Sequence, residues 1–326
     1  MTGAPSFTLR GARPADGDMV ARMCAALSRH EGSAAPALSP SRFRRDGFGI
    51  APAFHCIVAE RHGVPVGYAM YLPDYDTDLF RHSVYVVDLY VDNEARRCGI
   101  GRALMATIAR TARLRDARTL WWNVLRDNDT ARAFYRTIGR ELESDVVCSV
   151  EDADFDRLAA MPAPQSAVFR PAGSADAEVV SNMLGALRPA DGIEPTVSEI
   201  RSAVARESAG PYRAFTCHIA EQDGKAIGCA LHRPAYDTGS AARGLYLSGI
   251  YVRPEARRGG VARSLLGAAA RHGRERGARY LEWRVPQHNK AARAFFRTFA
   301  KEHPEILTMI VAGDAFIALA AGGHAI

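Results

Sequence analysis

Two segments that lie 161 residues apart place arginine and glycine in the same order. The first reads Arg-Arg-Cys-Gly-Ile-Gly over residues 96–101, and the second reads Arg-Arg-Gly-Gly-Val-Ala over residues 257–262. Each follows an apolar run and precedes a helical pattern of apolar residues. Glycine lets backbone amides approach a ligand closely, and the start of a helix carries partial positive charge. The repetition favours a phosphate-binding turn over an ordinary tight turn before an amphipathic helix.

A pyrophosphate is the group that suits such a turn. Successive backbone N–H groups form a concave nest, and Arg96, Arg97 and Arg102 can add ion pairs to phosphate oxygens. The spacing is not that of a dinucleotide-binding fold, because G-x-G-x-x-G is absent and no acidic residue ends the following strand. It is not that of a P-loop either, because no G-K-S or G-K-T follows the glycines.

The same offset relates many other positions of the two halves. It carries Phe54 onto Phe215, Gly67 onto Gly228 and Asn128 onto Asn289, and it carries Tyr-Asp-Thr at 75–77 onto Tyr-Asp-Thr at 236–238. One register held over such a span predicts a duplicated domain. The 326 residues and the proline-rich stretch at 161–164 agree with two domains, which we place at 1–163 and 164–326.

Asp88 is the carboxylate that the comparison of the halves singles out, because its counterpart is Gly249. Strict strand alternation places Asp88 on one face with Val84, Val86 and Tyr90, where an unpaired carboxylate is costly or has a raised pKa. Such a group suits the removal of a proton from an ammonium before its nitrogen attacks. The structural alternative is that the Asp88 carboxylate forms an ion pair with an arginine.

The elements that position these residues form a regular series. In the first half, strands are predicted at 54–60, 65–72, 84–91 and 119–124, with one helix after the glycine turn and another after Asn128. Strand, helix and strand in this order indicate a parallel crossover unit. A strand at 146–150 is expected to close the sheet, followed by a short helix at 155–160.

The composition excludes several classes of partner. The net charge of +6 permits nucleic-acid binding, but only three residues are lysine and no basic run with interleaved aromatics occurs, so we expect no nucleic-acid partner. The six cysteines form no C-x-x-C and have no histidine at metal-ligand spacing, so we expect reduced thiols and no metal. No segment is long and apolar enough for a bilayer, so we expect a cytoplasmic protein with no membrane partner.

The chain resembles the GCN5-related N-acetyltransferases in two motifs. The turn matches that family's R/Q-x-x-G-x-G/A motif, which grips the pyrophosphate of acetyl-coenzyme A, and Asn128-x-x-Ala-x-x-Phe-Tyr-x-x-x-Gly139 matches its second motif. The resemblance covers both halves. It implies two tandem α/β domains, each with a mixed and mostly antiparallel sheet, flanking helices and one parallel strand pair that splays near Val91 and Trp122 to admit the pantetheine arm.

The resemblance also implies the residues that bind acetyl-coenzyme A, which is the only cosubstrate expected. In the first half they are Leu89, Tyr90, Val91, Arg96, Arg97, Cys98, Gly99, Gly101, Arg102 and Asn128. In the second half they are Ile250, Tyr251, Val252, Arg257, Arg258, Gly260, Ala262, Arg263 and Asn289. For Asn128 and Asn289, helix capping is an equal alternative because asparagine is a favoured N-cap residue.

Tyr135 is the second position at which the halves differ in chemistry, because its counterpart is Phe296. The family often uses this tyrosine to protonate the departing thiolate, and a buried tyrosine bonded to a backbone carbonyl is the alternative. The first half is therefore expected to be catalytic, with Asp88 as base and Tyr135 as acid. The second half is expected to keep a coenzyme site without turnover.

The expected acceptor is the primary amine of a small molecule. Residues 67–76 and 87–90 resemble the spermidine/spermine acetyltransferase branch, but Val87 stands where that branch has glutamate, which puts a polyamine substrate in doubt. Asp74, Asp76 and Asp78 favour a cationic acceptor, although aspartates in loops are more often turn formers. The identity of the acceptor depends on residues 34–48, a segment whose conformation the sequence leaves open.

Two other functions stay open from the sequence. The protein could bind acyl-coenzyme A without turnover, as a sensor, or the second half could be active with Glu282 as a substitute base. Both a monomer and a homodimer are compatible with the tandem organisation.

Overall fold

The computed structural model describes residues 7–162, 164, 166–187, 195–208 and 213–326. The first half contains β1 (Thr8–Gly11), α1 (Gly17–His30), α2 (Pro40–Phe48), β2 (His55–Arg61), β3 (Val64–Asp76), β4 (Arg81–Val91), α3 (Ile100–Arg113), β5 (Thr119–Leu125), α4 (Asp129–Arg136), β6 (Arg140–Leu142), β7 (Asp145–Glu151) and α5 (Asp152–Ala160). The second half contains β8 (Val168–Pro171), α6 (Ala177–Gly185), α7 (Val197–Glu207), β9 (Thr216–Gln222), β10 (Lys225–Asp237), β11 (Ala242–Val252), α8 (Val261–Arg274), β12 (Ala278–Pro286), α9 (Lys290–Phe296), β13 (Lys301–His303), β14 (Ile306–Ala312) and α10 (Gly313–Ala321).

These strands form two seven-stranded sheets with matching strand orders. The first runs β1-β2-β3-β4-β5-β14-β6, and the second runs β8-β9-β10-β11-β12-β7-β13. All neighbours are antiparallel except β4 with β5 and β11 with β12, which are parallel. The predicted α/β fold, with one parallel strand pair in each mixed sheet, is confirmed. The segment at 34–48, whose conformation the sequence leaves open, ends in the helix α2.

The two halves exchange their closing strands, contrary to the expectation that residues 146–150 close their own sheet. In the second sheet β7 lies between β12 and β13, with Cys148 opposite Trp283. In the first sheet β14 lies between β5 and β6, with Met309 opposite Trp122. Two similar repeats offer equivalent edges to either strand, so the apolar pattern of residues 146–150 does not reveal which sheet it joins.

The helices that follow the exchanged strands move with them. Phe155 and Leu158 of α5 join the apolar core under α8 of the second sheet. Phe316 and Leu319 of α10 join the core beside α3 in the first sheet. Residue 163, where we place the domain boundary, lies outside the described residues, and that boundary stays a prediction about the repeats. Each folded sheet contains strands from both repeats.

The parallel strands pair over a short distance and then diverge. β4 and β5 are paired only at Val84 with Leu120 and at Tyr85 with Trp121. β11 and β12 separate in the same way beyond Tyr246 and its partner Glu282. The rest of β4 therefore has backbone groups with no strand partner on that side, as the expected V-shaped opening requires.

A β-bulge at Val87 changes the direction of Asp88. Met70 of β3 pairs with Asp88, whereas the next residue, Tyr71, pairs with Val86, so Val87 is extra. Strict alternation, which put Asp88 on the same face as Val84 and Val86, is therefore wrong. Val84 and Val86 lie in the core that contains α3, whereas Asp88 faces side chains of the opposite layer.

Candidate active site

The two glycine turns have the same backbone conformation. Gly99 has φ = 81° just before α3, and Gly260 has φ = 81° just before α8. Arg97 and Arg258 are also left-handed, with φ of 61° and 64°. A side chain at Gly99 would contact nothing within 4 Å, so glycine is needed there for its backbone conformation. The space beside the turn is open to a ligand.

The helix amides at these turns are available to an anion. No side chain caps the start of α3 or α8, so their first N–H groups lack the usual acceptor. Cys98 and Arg97 beside the first turn are exposed, as is Arg258 beside the second. Uncapped amides, a left-handed glycine and nearby arginines fit a pyrophosphate group.

The arginines of the two turns have different roles. Arg96 Nε donates to the carbonyl of Val91 at 2.9 Å, and Arg257 Nε donates to the carbonyl of Val252 at 3.0 Å. These two arginines therefore hold each turn against the end of its strand. Arg102 is exposed and reaches the carbonyl of Thr137 at 3.4 Å.

Arg263, the counterpart of Arg102, lies differently. Its guanidinium stacks over the ring of Phe299 at 4.9 Å. Its Nε is buried and has no hydrogen-bond partner among the residues that the structure describes. The second turn thus keeps the backbone of the first but orients this cation onto an aromatic ring.

Both motif asparagines cap helices. Asn128 Oδ1 accepts a hydrogen bond from the amide of Ala131, and Asn289 Oδ1 accepts one from the amide of Ala292, each at 3.1 Å. Capping accounts for the oxygen of each side chain. The amide nitrogen is the group that each asparagine could offer to the pantetheine arm.

The strand residues predicted to bind the pantetheine arm lie beside the two openings. Leu89 and Val91 pair with β3 on one side and have no strand on the other side. Ile250 and Val252 have the same arrangement in β11. An extended amide chain can pair with such free backbone groups as an added strand.

Asp88 is buried, with 8% of its surface exposed, and both of its oxygens accept hydrogen bonds. Tyr68 Oη donates to Oδ2 at 2.7 Å, and Thr238 Oγ1 of the second half donates to Oδ1 at 2.9 Å. Cys24 Sγ lies 3.9 Å from Oδ2. Burial raises the pKa of Asp88 to about 6, while the two hydroxyl donors oppose that rise. No arginine pairs with it among the described residues.

Tyr135 projects from α4 into the same region. Its ring packs against Trp122 with centroids 5.0 Å apart, and its hydroxyl has no hydrogen-bond partner within the described part of the chain. Burial, followed by the negative charges of Glu31 and Asp88, raises its pKa above the usual range. The phenol therefore stays protonated at neutral pH and is free to donate.

One cavity of about 970 Å³ brings Asp88 and Tyr135 together. Its walls come from both halves of the chain. From the second half they include Arg233, Asp237, Thr238, Tyr246, Tyr280 and Glu282. The sequence analysis missed Tyr68 and Thr238 as partners of Asp88. The repeated Tyr-Asp-Thr at 75–77 and 236–238 was the trace of Thr238, and it does not show which half the threonine faces.

Two further carboxylates of the cavity wall have raised pKa values. Burial, then the charge of Asp88, raises the pKa of Glu31 to about 7. Burial, then the charge of Asp237, raises the pKa of Glu282 to about 7. Neither forms an ion pair or hydrogen bond with another described residue. Both are half-buried, and Glu282 lies on β12 beside the opening of the second half.

Two other aspartates noted in the sequence, Asp74 and Asp76, are engaged in structure. Asp74 is buried, pairs with the Arg233 guanidinium and accepts a hydrogen bond from Trp121 Nε1 at 2.5 Å. Asp76 Oδ1 accepts from the amides of Asp78 and Leu79 at 2.8 and 3.0 Å, as a turn former does. Asp78 does not line the cavity, so Asp88 is the aspartate of this set that remains for chemistry.

At the corresponding place in the second half, other residues replace Asp88 and its first-half neighbours. Gly249 replaces Asp88, Cys229 replaces Tyr68, and Leu184 replaces Cys24. Phe296 replaces Tyr135 and packs on Trp283 with centroids 4.7 Å apart. The second half therefore retains the strand opening and turn but has neither the carboxylate nor the phenol.

The repeated turn, splayed strand pair and cavity define a class of acyl-transferring protein, and the family comparison agrees. The sequence model of the acetyltransferase (GNAT) family matches residues 23–139 and again residues 189–300. The chain belongs to this family, with two copies in tandem. It is an acetyl-CoA-dependent N-acetyltransferase.

Curated relatives match one domain's length of the chain. Thialysine N-epsilon-acetyltransferase of Sus scrofa is 34% identical over 143 residues, which are 41% of this chain and 84% of the relative. The protein of the same name from Bos taurus is 32% identical over 142 residues, which are 41% of this chain and 83% of the relative.

Solved structures share the tandem fold. A GCN5-related N-acetyltransferase from Sphaerobacter thermophilus has a TM-score of 0.54 at 19% identity, covering 95% of this chain and 96% of its own. A tandem GNAT protein from the clavulanic acid biosynthesis pathway has a TM-score of 0.51 at 19% identity, covering 94% and 98%. At this identity the likeness shows the fold alone.

The residues that the structure describes include no group of three or more His, Cys, Asp or Glu side chains placed to hold a metal ion. Within the same residues no helix has the length and apolar character needed to cross a membrane.

Proposed function

We propose that the first half transfers the acetyl group of acetyl-coenzyme A to the primary amine of a small molecule by direct attack. The observation that carries this proposal is the cavity in which Asp88 and Tyr135 meet beside the strand opening. The second half has the opening but lacks both groups.

Asp88 acts as the base in this proposal. An ammonium must lose a proton before its nitrogen attacks the thioester carbonyl, and a base is most effective when its pKa lies near the working pH. Asp88, with a pKa of about 6, is mostly ionised at neutral pH. It accepts the proton through a water molecule, and the amine then forms the new C–N bond.

Tyr135 acts as the acid. When the C–S bond breaks, the departing thiolate takes the phenolic proton of Tyr135. The raised pKa of this tyrosine keeps that proton in place until it is needed, and its hydroxyl has no competing partner among the described residues. Free strand amides beyond Leu89 would polarise the thioester carbonyl.

The first turn would hold the pyrophosphate through the amides after Gly99, with Arg97 and Arg102 as ion partners. Arg96 would keep the turn in place. The second turn would bind a second coenzyme through the amides after Gly260 and through Arg258. That second site would bind without turnover.

A cationic acceptor suits the cavity. Eight acidic side chains and six arginines line it, although the whole chain has a net charge of +6. Glu31 and Glu282 are not paired within the described residues, so they can attract an ammonium group. The relatives named for thialysine, an amine-bearing amino acid, are compatible with such an acceptor.

Acetyl-CoA-dependent thiol release on a panel of small primary amines tests the proposal. Asp88→Asn should reduce kcat/KM by about 10²–10⁴-fold, the usual contribution of a positioned base. Glu282→Gln is the matched carboxylate variant: it removes a charge that attracts the acceptor, so KM should rise while kcat stays at the wild-type value. The opposite result, a loss of kcat with Glu282→Gln alone, would assign turnover to the second half.

Coenzyme binding without thiol release on any amine would instead support a protein that only binds acyl-coenzyme A. Equilibrium binding of coenzyme A to the wild type, measured alongside the amine panel, separates the two functions. A stoichiometry of two per chain would support a second coenzyme site.

A further inference from the structure

The turn between β10 and β11 is built into the first half of the molecule. Tyr236, just before the turn, is buried against Phe54 with ring centroids 4.9 Å apart. Ala241, at the end of the turn, is buried in the same core, which consists mainly of first-half residues. The second half therefore supplies part of the wall on the acceptor side of the first.

Hydrogen bonds fix this turn at several points. The amide of Ala37 donates to the carbonyl of Gly239 at 2.6 Å, and Arg243 Nη2 donates to the carbonyl of Ala51 at 2.6 Å. Inside the turn, Asp237 Oδ2 accepts from the amide and hydroxyl of Ser240 at 2.7 and 2.5 Å. These contacts hold the backbone of residue 238 in one place.

Thr238 uses that position to reach Asp88. Its hydroxyl is buried, with 7% of the residue exposed, and it donates to Asp88 Oδ1 at 2.9 Å. Tyr68 of the first half donates to the other oxygen. Each oxygen of Asp88 thus has one hydroxyl donor, and one of the two hydroxyls comes from a residue 150 positions away in the chain.

The turn at the equivalent place in the first half makes a different contact. Thr77 Oγ1 reaches into the second half and donates to the carbonyl of Ser248 at 3.3 Å. Its target region has Gly249 where the first half has Asp88. The same threonine on the same turn therefore meets a carboxylate in one half and only backbone in the other.

We propose that Thr238 of the second half is a positioning residue for Asp88, so that acetyl transfer in the first half depends on a hydroxyl from the second. This inference rests on the proposed function of Asp88 as base. A hydrogen bond to the ionised form of a carboxylate stabilises that form. The second half then completes the site of the first.

Several other groups face Asp88 and also influence its ionisation. Cys24 and Glu31 come from α1 and its end, Tyr68 from β3, Tyr85 from β4, Tyr135 from α4 and Asp237 from β10. Burial raises the pKa of Asp88, and Thr238 lowers it. Loss of the Thr238 hydroxyl should therefore move ionisation of Asp88 to higher pH.

The test is the pH dependence of kcat/KM for Thr238→Val, which keeps the size and branching of the side chain but removes the donor. The acidic limb should move up by about one pH unit, the effect of losing one hydrogen bond to a charged group. At pH values above that limb the variant should approach the wild-type rate. Thr238→Ser, which retains a hydroxyl, should restore the wild-type limb.

Thr77→Val is the matched control, because it removes the same hydroxyl from the equivalent turn. Its pH profile should stay that of the wild type. An unshifted limb in Thr238→Val, a lowered rate at every pH, or an equal shift in Thr77→Val would overturn the inference. Asp88→Asn tests the base separately: if it keeps full activity, the proposed function fails, whereas a dead Asp88→Asn with an unshifted Thr238→Val defeats only the role of Thr238.

Discussion

The two halves share a backbone fold but differ in the side chains that it carries. Both have the left-handed glycine before a helix, the diverging parallel strands and a threonine turn that crosses to the other half. Asp88 and Tyr135 are present only in the first half, where the second has Gly249 and Phe296. Because the second half folds without these groups, the fold does not need them. The comparison therefore separates residues retained for structure from residues available for chemistry.

A buried ion pair joins the two halves, and its loss should have the largest effect of the changes considered. Arg233 pairs with Asp74, and its guanidinium lies 3.9 Å above the ring centre of Tyr246. The counterparts of Arg233 and Asp74 are Leu72 and Ala235. Arg233→Leu should cost about 3–5 kcal/mol of unfolding free energy, because it leaves the Asp74 carboxylate buried and unpaired.

Urea unfolding of the wild type, of Arg233→Leu and of a double variant measures this effect. Asp74→Ala combined with Arg233→Leu should recover most of the loss, since removing both charges leaves neither unpaired. A double variant as unstable as Arg233→Leu alone would show that packing of the arginine, and not its charge, holds the halves together.

Exchange of the tyrosine and its counterpart sharpens the assignment of chemistry to one half. Tyr135→Phe should lower kcat by about 10²-fold, because the thiolate then leaves without a proton donor. Phe296→Tyr, the reverse change in the second half, should leave kcat at the wild-type value. Thiol release measured for both variants decides the matter, and a fall confined to Phe296→Tyr would contradict the assignment.

A histidine cluster distinguishes the halves in a smaller way. His218, His232 and His272 lie together in the second half with ring centroids 5.2–5.3 Å apart. Their counterparts in the first half are Ile57, Tyr71 and Thr111. Burial lowers the pKa of His218 and of His272 to about 4, and it lowers that of His232 as well.

These shifts make stability depend on pH. A histidine whose pKa is lower in the folded state than in the unfolded state contributes fully above about pH 6.5 and loses that contribution as the pH falls toward 4. His218→Ile should reduce the loss of unfolding free energy between pH 7 and pH 4.5 by on the order of 2 kcal/mol. Denaturant unfolding at both pH values checks this. An equal loss of unfolding free energy in wild type and variant would disprove it.

The sequence reveals local features of this protein well. The glycine turn, the helix that follows it and the caps at Asn128 and Asn289 depend on a few neighbouring residues, so spacing predicts them. Asp88 and Tyr135 are found because the duplication supplies a control at each position. The prediction that they act as base and acid stays open to the experiments above.

Features that depend on contacts between distant residues were not predictable in this way. Alternation places Asp88 on the wrong face, because one extra residue at Val87 reverses it. The role of Asp74 is hidden because its partner lies 159 positions away. The exchange of β7 and β14 is hidden because two similar repeats offer the same edge to each strand.

That exchange has a consequence for synthesis of the chain. The first sheet needs β14, which ends at Ala312, between β5 and β6. During translation, residues 7–142 therefore remain without an inner strand until Ala312 has left the ribosome. The half with the proposed chemistry is made first but is completed last, and until β14 arrives the edge of β5 is open to pairing with other chains.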